Sequence, residues 1–173
     1  MKKAARLFFA IAVLCAVCAV SSAADAAIPK NGSIAVLVKG PSQQHVASAT
    51  AIITKQLIAS GYKVVDPKKL EQIRKNKAAA LALDGNVEAI MKLSSQYGFS
   101  TLVAAQAESG EPMINEFKLY TGTSSVAVMV TGSNGAQLYA DTVSGKQVGY
   151  TQSEAAQKAL EAAAKLAADR MTK

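Results

Sequence analysis

The stretch SGYKVVDPKKLEQIRK, residues 60–75, is the feature that most limits how this chain can fold. Its first half carries the β-branched pair Val64-Val65, which is typical of a short strand, and its second half has the charged pattern of a surface helix. Asp66 can cap that helix through its carboxylate, and Pro67 suits the first helical turn, where a missing N–H costs nothing. A strand that passes directly into a capped helix predicts a protein in which helices and strands alternate.

The rest of the chain supplies further strands. A continuous apolar run at residues 33–38 suits a strand that is covered on both faces, and residues 101–107 are similarly apolar. Residues 117–131 predict a long strand with a bend or bulge near Gly122. Asn134-Gly135 predicts a tight hairpin, after which residues 136–150 return as a strand that breaks or bends near Gly145.

Apolar residues recur at helical spacing between these predicted strands. This spacing indicates helices at residues 43–60 and 87–97, a single helical segment at residues 67–83, and a last helix after the capping-box pattern Thr151-Gln152-Ser153-Glu154. Gly61 and Gly98 lie where left-handed helix termini favour glycine. The predicted order is β-α-β-α-α-β-β-β-α. This order indicates an α/β (α+β) sandwich in which helices pack on one mixed, five-stranded sheet, with parallel first crossovers and a final antiparallel meander.

The first 26 residues have the pattern of a cleavable signal peptide. Lys2, Lys3 and Arg6 precede an apolar run at residues 7–20, and Ala24-x-Ala26 fits a cleavage site. A membrane anchor is the alternative, although the run is short for a span. Cys15 and Cys18 lack the residues that a lipoprotein box requires before its cysteine. The prediction is a soluble periplasmic chain without a lipid anchor, with residues 27–173 as one domain.

Residues 27–173 contain no cysteine, so they hold no disulfide, thiol nucleophile or cysteine-based metal site. They keep a cationic excess, part of which lies in one basic cluster: Lys68, Lys69, Arg74, Lys75 and Lys77. This cluster is either a solvated helix face or a contact for an anionic surface, such as phospholipid or a cell-wall polymer. Nucleic acid is not expected, because no aromatic residues interleave the basic ones and the chain is exported.

The sequence contains no recognisable catalytic or cofactor motif. His45 is the only histidine, and no serine elbow or paired acid accompanies it. Glu108, Glu111 and Glu116 flank one turn, but their spacing is not that of a calcium loop, so solvated acids are the expected interpretation. We therefore predict no catalytic residues, no metal site, no cofactor and no enzymatic activity.

The order of elements resembles the periplasmic α/β domain shared by the curli channel protein CsgG, the TolB N-terminal domain, FlgT and the penicillin-binding-protein activator lipoproteins. Three passages carry the resemblance: Ile34-Ala35-Val36-Leu37, residues 60–66 followed by Leu70, and residues 89–106 with Tyr97-Gly98 and Leu102-Val103. The resemblance implies the same fold and a role in the cell envelope. A pore is not expected, because the chain lacks the length for membrane-crossing hairpins.

These observations lead to three functional hypotheses. The first is a noncatalytic periplasmic protein-interaction domain that helps to assemble or regulate an envelope structure, such as outer-membrane, curli-like, flagellar or cell-wall machinery. The alternative is a protein that binds an anionic ligand or the envelope surface through the basic cluster. An unusual hydrolase that uses His45 ranks last. The expected partners are envelope proteins, and the sequence leaves open homo-oligomer formation, peripheral membrane or cell-wall contact, and small-ligand binding.

Overall fold

The computed structural model describes residues 28–173, so the predicted signal peptide and its cleavage site lie outside the described residues. The strands are β1 (Ser33–Lys39), β2 (Lys63–Val64), β3 (Thr101–Ser109), β4 (Met113–Ile114), β5 (Tyr120–Gly132) and β6 (Gln137–Gly149). The helices are α1 (Gln43–Ala59), α2 (Pro67–Lys75), α3 (Lys77–Leu83), α4 (Val87–Tyr97) and α5 (Gln152–Met171).

All six of these strands form one mixed sheet in the order β2-β1-β3-β5-β6, with β4 pairing β5 beyond the end of β3. The pairings of β1 with β2 and β3 are parallel, and those of β5 with β3 and β6 are antiparallel. These pairings confirm the predicted α/β class, parallel crossovers and meander. The predicted strand count of five was wrong, because the short strand β4 lies in a polar stretch without alternating hydrophobicity.

Helices cover the sheet on both faces, which explains the continuous apolar runs in the sequence. Alternate side chains of β1 enter opposite cores: Ile34 and Val36 pack with α1 and α5, whereas Ala35 and Leu37 pack with α2, α3 and α4. Val103 and Leu102 of β3 divide in the same way. Because successive strand residues point to opposite faces, both must be apolar where both faces are covered.

The long C-terminal helix α5 lies unusually close to β5 and β6. A β-carbon added at Gly122 would overlap the carbonyl of Ala155, and one at Gly145 would overlap the carbonyl oxygen of Ala159. Both strands run through these glycines without interruption. A bulge at Gly122 and a break at Gly145 were therefore wrong alternatives, because the missing β-carbons make room for the alanine-rich helix. The register irregularity in β5 lies at Val130/Thr131.

Local capping interactions set the helix boundaries. The Asp66 carboxylate accepts a 2.8 Å hydrogen bond from the Lys68 N–H, which confirms the predicted cap at the strand–helix junction. The predicted continuous helix over residues 67–83 was wrong. Asn76 ends α2 in an extended conformation, and its side chain accepts a 3.0 Å hydrogen bond from the Ala78 N–H to begin α3. An asparagine side chain that bonds nearby backbone groups favours caps over helix interiors.

The three short helices cover only part of the sheet. They contact β1 and β3, whereas α5 extends over both β5 and β6 on the opposite face. On the face that α5 does not cover, Ala127 of β5 is exposed, as are Ala140 and Thr142 of β6. The centre of β5 is apolar on both faces, but only the face that carries Val126 and Val128 is fully buried.

Candidate functional site

The predicted basic cluster lies on α2 and at the start of α3, and all five of its side chains are exposed. Lys75 forms an ion pair with Glu71 at 2.7 Å, and the Arg74 guanidinium donates a 2.9 Å hydrogen bond to the Thr50 hydroxyl of α1. Lys68, Lys69 and Lys77 form no ion pair with any described residue. Helical spacing places Lys69 and Arg74 on opposite flanks of α2, so the five cations do not converge on one point.

A groove lies at the edge of the sheet beside β2, and we call it the β2 groove. Its volume is about 610 Å³, and its walls come from α1 on one side and the start of α2 on the other. The walls are mainly apolar and include Ile58, whose residue surface is 58% exposed. Among its polar lining groups, Arg74 lies at the rim and the Thr54 hydroxyl oxygen is buried without a hydrogen-bond partner. Arg74 is the one residue of the basic cluster that lines this groove.

The uncovered face of β3, β5 and β6 forms a second depression, of about 560 Å³. Its floor consists largely of alanines, namely Ala104, Ala127 and Ala140, together with Met129. On one side Lys39 and Asp84 form an ion pair at 2.6 Å. The depression is shallow and open, and its lining contains no pair of groups arranged for acid–base or nucleophilic chemistry.

The third surface is the end of the β4–β5–β6 arm, which we call the apolar tip. Five large apolar side chains are exposed there: Met113 (74%), Ile114 (64%), Phe117 (74%), Val148 (41%) and Tyr150 (80%). The turn between β4 and β5 is held by Asn115, whose side-chain oxygen accepts hydrogen bonds from the N–H groups of Phe117 and Leu119. Because this turn occupies the start of the strand predicted at residues 117–131, the strand begins only at Tyr120. A concentration of exposed apolar side chains marks an interaction surface.

His45 belongs to the first turn of α1. The Ser42 hydroxyl lies 3.0 Å from the His45 Nδ1 and accepts a 3.2 Å hydrogen bond from the His45 N–H, which makes Ser42 the N-cap of α1. Glu108 accepts a 2.7 Å hydrogen bond from the Gln106 side chain. Within residues 28–173, no group of three or more metal-ligating side chains is close enough to hold an ion.

The shifted pKa values belong to stabilising ion pairs. The Arg170 guanidinium, 3.0 Å from the Asp141 carboxylate, holds the pKa of Asp141 below its ordinary value, and the Tyr139 hydroxyl also donates to this carboxylate. Burial, with the Asp141 contact, raises the pKa of Tyr139. Hydrogen bonds from Lys75 and Lys158 lower the pKa values of Glu71 and Glu154. The Asp141–Arg170 pair joins β6 to α5, Tyr139 and Asp141 are neighbours on β6, and the pairs of Glu71 and Glu154 each lie within one helix.

The sequence pattern indicated the basic cluster but neither the β2 groove nor the apolar tip. The groove is lined by side chains of α1, β2 and α2. Some of these residues are far apart in sequence, and the others belong to separate helical and strand patterns, so no one stretch indicates the groove. The tip had a local signal, since Met113, Ile114 and Phe117 interrupt a stretch rich in acidic and turn residues.

Comparison with known families provides a relationship for this fold. The family described as "TP0693-like lipoprotein, C-terminal domain" matches residues 42–172, which is most of the described part of the chain. The chain belongs to this family. The matched residues include the β2 groove, the apolar tip and the lining of the second depression except Lys39. A comparison with curated protein sequences found no match.

Several solved structures resemble the TP0693-like domain at low sequence identity. The lipoprotein GNA1162 from Neisseria meningitidis has a TM-score of 0.51 at 18% identity, covering 69% of this chain and 85% of that one, which supports the fold alone. The PelC dodecamer from Paraburkholderia phytofirmans gives 0.40 at 12% identity, covering 80% and 90%. The LpoB C-terminal domain from Salmonella enterica gives 0.42 at 13% identity, covering 72% and 86%. The last two scores are too low to establish a common fold.

The family description bears on the predictions about the envelope. Membership of a lipoprotein family supports the coarse prediction of a cell-envelope domain, whereas the relationships to CsgG, TolB and FlgT stay predictions. The description also stands in tension with the predicted absence of a lipid anchor; both cysteines of the chain lie outside the described residues. Among the described helices, none is long and apolar enough to cross a membrane.

Proposed function

We propose that this chain is a noncatalytic protein-interaction domain of the bacterial cell envelope, which acts in the periplasm and helps to assemble or regulate an envelope structure. The observation that carries the proposal is the apolar tip. Its exposed side chains occupy one end of a long β-arm that is otherwise sorted into buried and exposed faces. Large aromatic and aliphatic side chains exposed at one end of a sheet are of the kind that contributes most to protein–protein binding.

The proposal includes residues 1–26 as a cleavable export signal and residues 27–173 as the interaction domain. Membership of a lipoprotein family supports the envelope location. Mass spectrometry of the protein from periplasmic and membrane fractions tests this part. A chain that starts at residue 27 and carries no lipid agrees with it, and a lipid-modified Cys15 or Cys18 contradicts it.

Site-specific photo-crosslinking tests the interaction itself. A photoreactive phenylalanine analogue at Phe117 or Tyr150 should crosslink one defined envelope protein in living cells. The matched control is the same analogue at Leu166, which is 38% exposed on α5 and lies outside the tip. Equal crosslinked products from the tip and control positions would remove the support for a tip interface. The support would also be removed if the tip position gave no protein product while the analogue at the control position reacted with water only.

A second candidate function is contact with an anionic surface through the basic cluster. It is favoured by the exposure of Lys68, Lys69 and Lys77, which form no ion pair with a described residue. Such binding should weaken as salt screens the charges. Sedimentation with phosphatidylglycerol vesicles at two salt concentrations tests it, and binding that persists unchanged in the variant with all three lysines replaced by glutamate rejects it.

A further inference from the structure

The β2 groove has the shape of a slot for one additional strand. Helix α1 packs on one face of the sheet and α2 on the other, and side chains of both line the groove beside the outermost strand. The floor is formed by Val64 and Val65. Two helical layers that line the space beyond a sheet edge leave an apolar gap between them, which a further strand would fill at the ordinary spacing of about 4.8 Å.

The backbone of β2 is oriented to pair on its outer side. β2 is only two residues long and pairs with β1 alone among the described strands. The Val65 N–H donates a 2.9 Å hydrogen bond to the Ile34 carbonyl and thus points toward β1. Because successive residues of a strand turn their N–H and C=O groups to opposite sides, those of Val64 point away from β1, toward the open edge. An unpaired edge of this kind is a template for strand addition.

The lining of the groove indicates the chemistry of the occupant. The apolar wall side chains suit alternate apolar residues of an extended peptide: Ala47, Ala51, Ile58, Val64 and Leu70. Arg74 uses one guanidinium nitrogen for the Thr50 hydroxyl and has further donors for a carboxylate. Lys63, exposed on β2 itself, adds a second positive charge, and Asp66 is the one acidic residue in the lining.

We propose that the β2 groove binds an extended peptide of alternating apolar and acidic residues from a partner protein, which adds as a further strand to the outer edge of β2. A second copy of β2 fits less well, because pairing two such edges would bring Lys63 and Arg74 of both copies together. An acyl chain could fill the apolar walls but would leave the Val64 backbone groups unpaired. This inference goes beyond the proposed function, since it adds a second surface at the opposite edge of the sheet from the apolar tip.

The experiment measures fluorescence anisotropy of a labelled, end-capped five-residue peptide of alternating valine and glutamate added to the full-length protein. Two control peptides carry lysine in place of glutamate, or an N-methyl group on the central backbone nitrogen. The glutamate peptide should bind at least about tenfold more tightly than either control. The lysine peptide loses the charge-assisted hydrogen bond, and the N-methylated peptide loses a main-chain hydrogen bond. Equal binding of the lysine peptide overturns the acidic selectivity, and equal binding of the N-methylated peptide overturns strand addition.

Variants locate the site. Ala51→Trp should fill the groove and abolish peptide binding, whereas Ala80→Trp, an equally exposed alanine on α3, should not change it. Arg74→Glu should weaken binding about tenfold or more. The assignment is overturned if both tryptophan variants lose peptide binding or if both retain it. It is also overturned if the protein binds phosphatidylglycerol vesicles and Ala51→Trp blocks that binding. The tip variant Phe117→Ser should bind the peptide normally, so failure of the groove and failure of the tip interface give different results.

Discussion

The Thr54→Val substitution provides a direct test of how the wall of the β2 groove is built. The Thr54 hydroxyl oxygen is inaccessible to solvent and has no hydrogen-bond partner among the described residues. A buried polar group without a partner costs about 1–3 kcal/mol, and valine has nearly the same shape without the hydroxyl. Threonine and valine also have similar helix propensities. We therefore expect the substitution to raise the free energy of unfolding by about 1 kcal/mol.

Thr50 is the matched control, one helical turn earlier on the same side of α1. Its hydroxyl donates a 2.6 Å hydrogen bond to the Val46 carbonyl and accepts one from Arg74. Thr50→Val should therefore lower the free energy of unfolding by about 0.5–1.5 kcal/mol, since a net hydrogen bond is worth about that much. Opposite signs for the two substitutions are the result expected from the geometry.

Urea unfolding followed by circular dichroism measures both effects. For a domain of this size, a change of 1 kcal/mol corresponds to a shift of about 2–4 °C in the unfolding midpoint, so thermal melts provide a second readout. If Thr54→Val is destabilising by as much as Thr50→Val, the Thr54 hydroxyl has a partner and the argument about the groove wall fails. In the peptide assay, Thr54→Val should leave binding unchanged while it stabilises the free protein, because the hydroxyl oxygen is inaccessible from the groove.

Three further predictions concern the packing and the ion pairs. Gly145→Ala should lower the free energy of unfolding by about 1–3 kcal/mol in urea titrations, because a β-carbon there meets the backbone of α5, whereas Gly110→Ala, with no atom closer than 3.6 Å, should be nearly neutral. Thr151→Ala should cost about 1 kcal/mol in the same assay, since its hydroxyl caps α5, and an unchanged midpoint would contradict this. Because Arg170 lowers the pKa of Asp141, the pair should stabilise the fold above the ordinary aspartate pKa of about 4 and lose this effect as the pH falls through the lower folded-state pKa. Asp141→Asn should accordingly be destabilising at pH 7 and nearly neutral at about pH 2. A difference in the free energy of unfolding that does not depend on pH would refute the pairing.

The sequence predicted the parts of the fold that depend on local patterns. The continuous apolar runs of β1 and β3 predicted strands covered on both faces, and their parallel pairing places Val36 beside Val103. The Asp66-Pro67 cap and the left-handed Gly61 and Gly98 were also predicted correctly, because each depends on one or two adjacent residues.

The errors arose where tertiary contact decides the role of a residue. Glycine within a strand commonly indicates a bulge or a break, but Gly122 and Gly145 lie in continuous strands and accommodate the backbone of a helix that begins later in the chain. The cationic residues of α2 were visible as a cluster, yet only Arg74 lies in the groove, because its surroundings depend on how α1 packs against α2. A groove of this kind is a property of three elements at once, and no single stretch of sequence contains it.

Helix length explains why the two faces of the sheet differ. At a rise of about 1.5 Å per residue, the 20-residue α5 is about 30 Å long and can follow the 13-residue strands β5 and β6 along much of their length. On the other face, Asn76 and the residues after Leu83 divide the chain into helices of 9, 7 and 11 residues, none longer than about 17 Å. Three short helices pack around β1 and β3 and do not reach β6. The residues that end these helices therefore leave part of the sheet uncovered on one face.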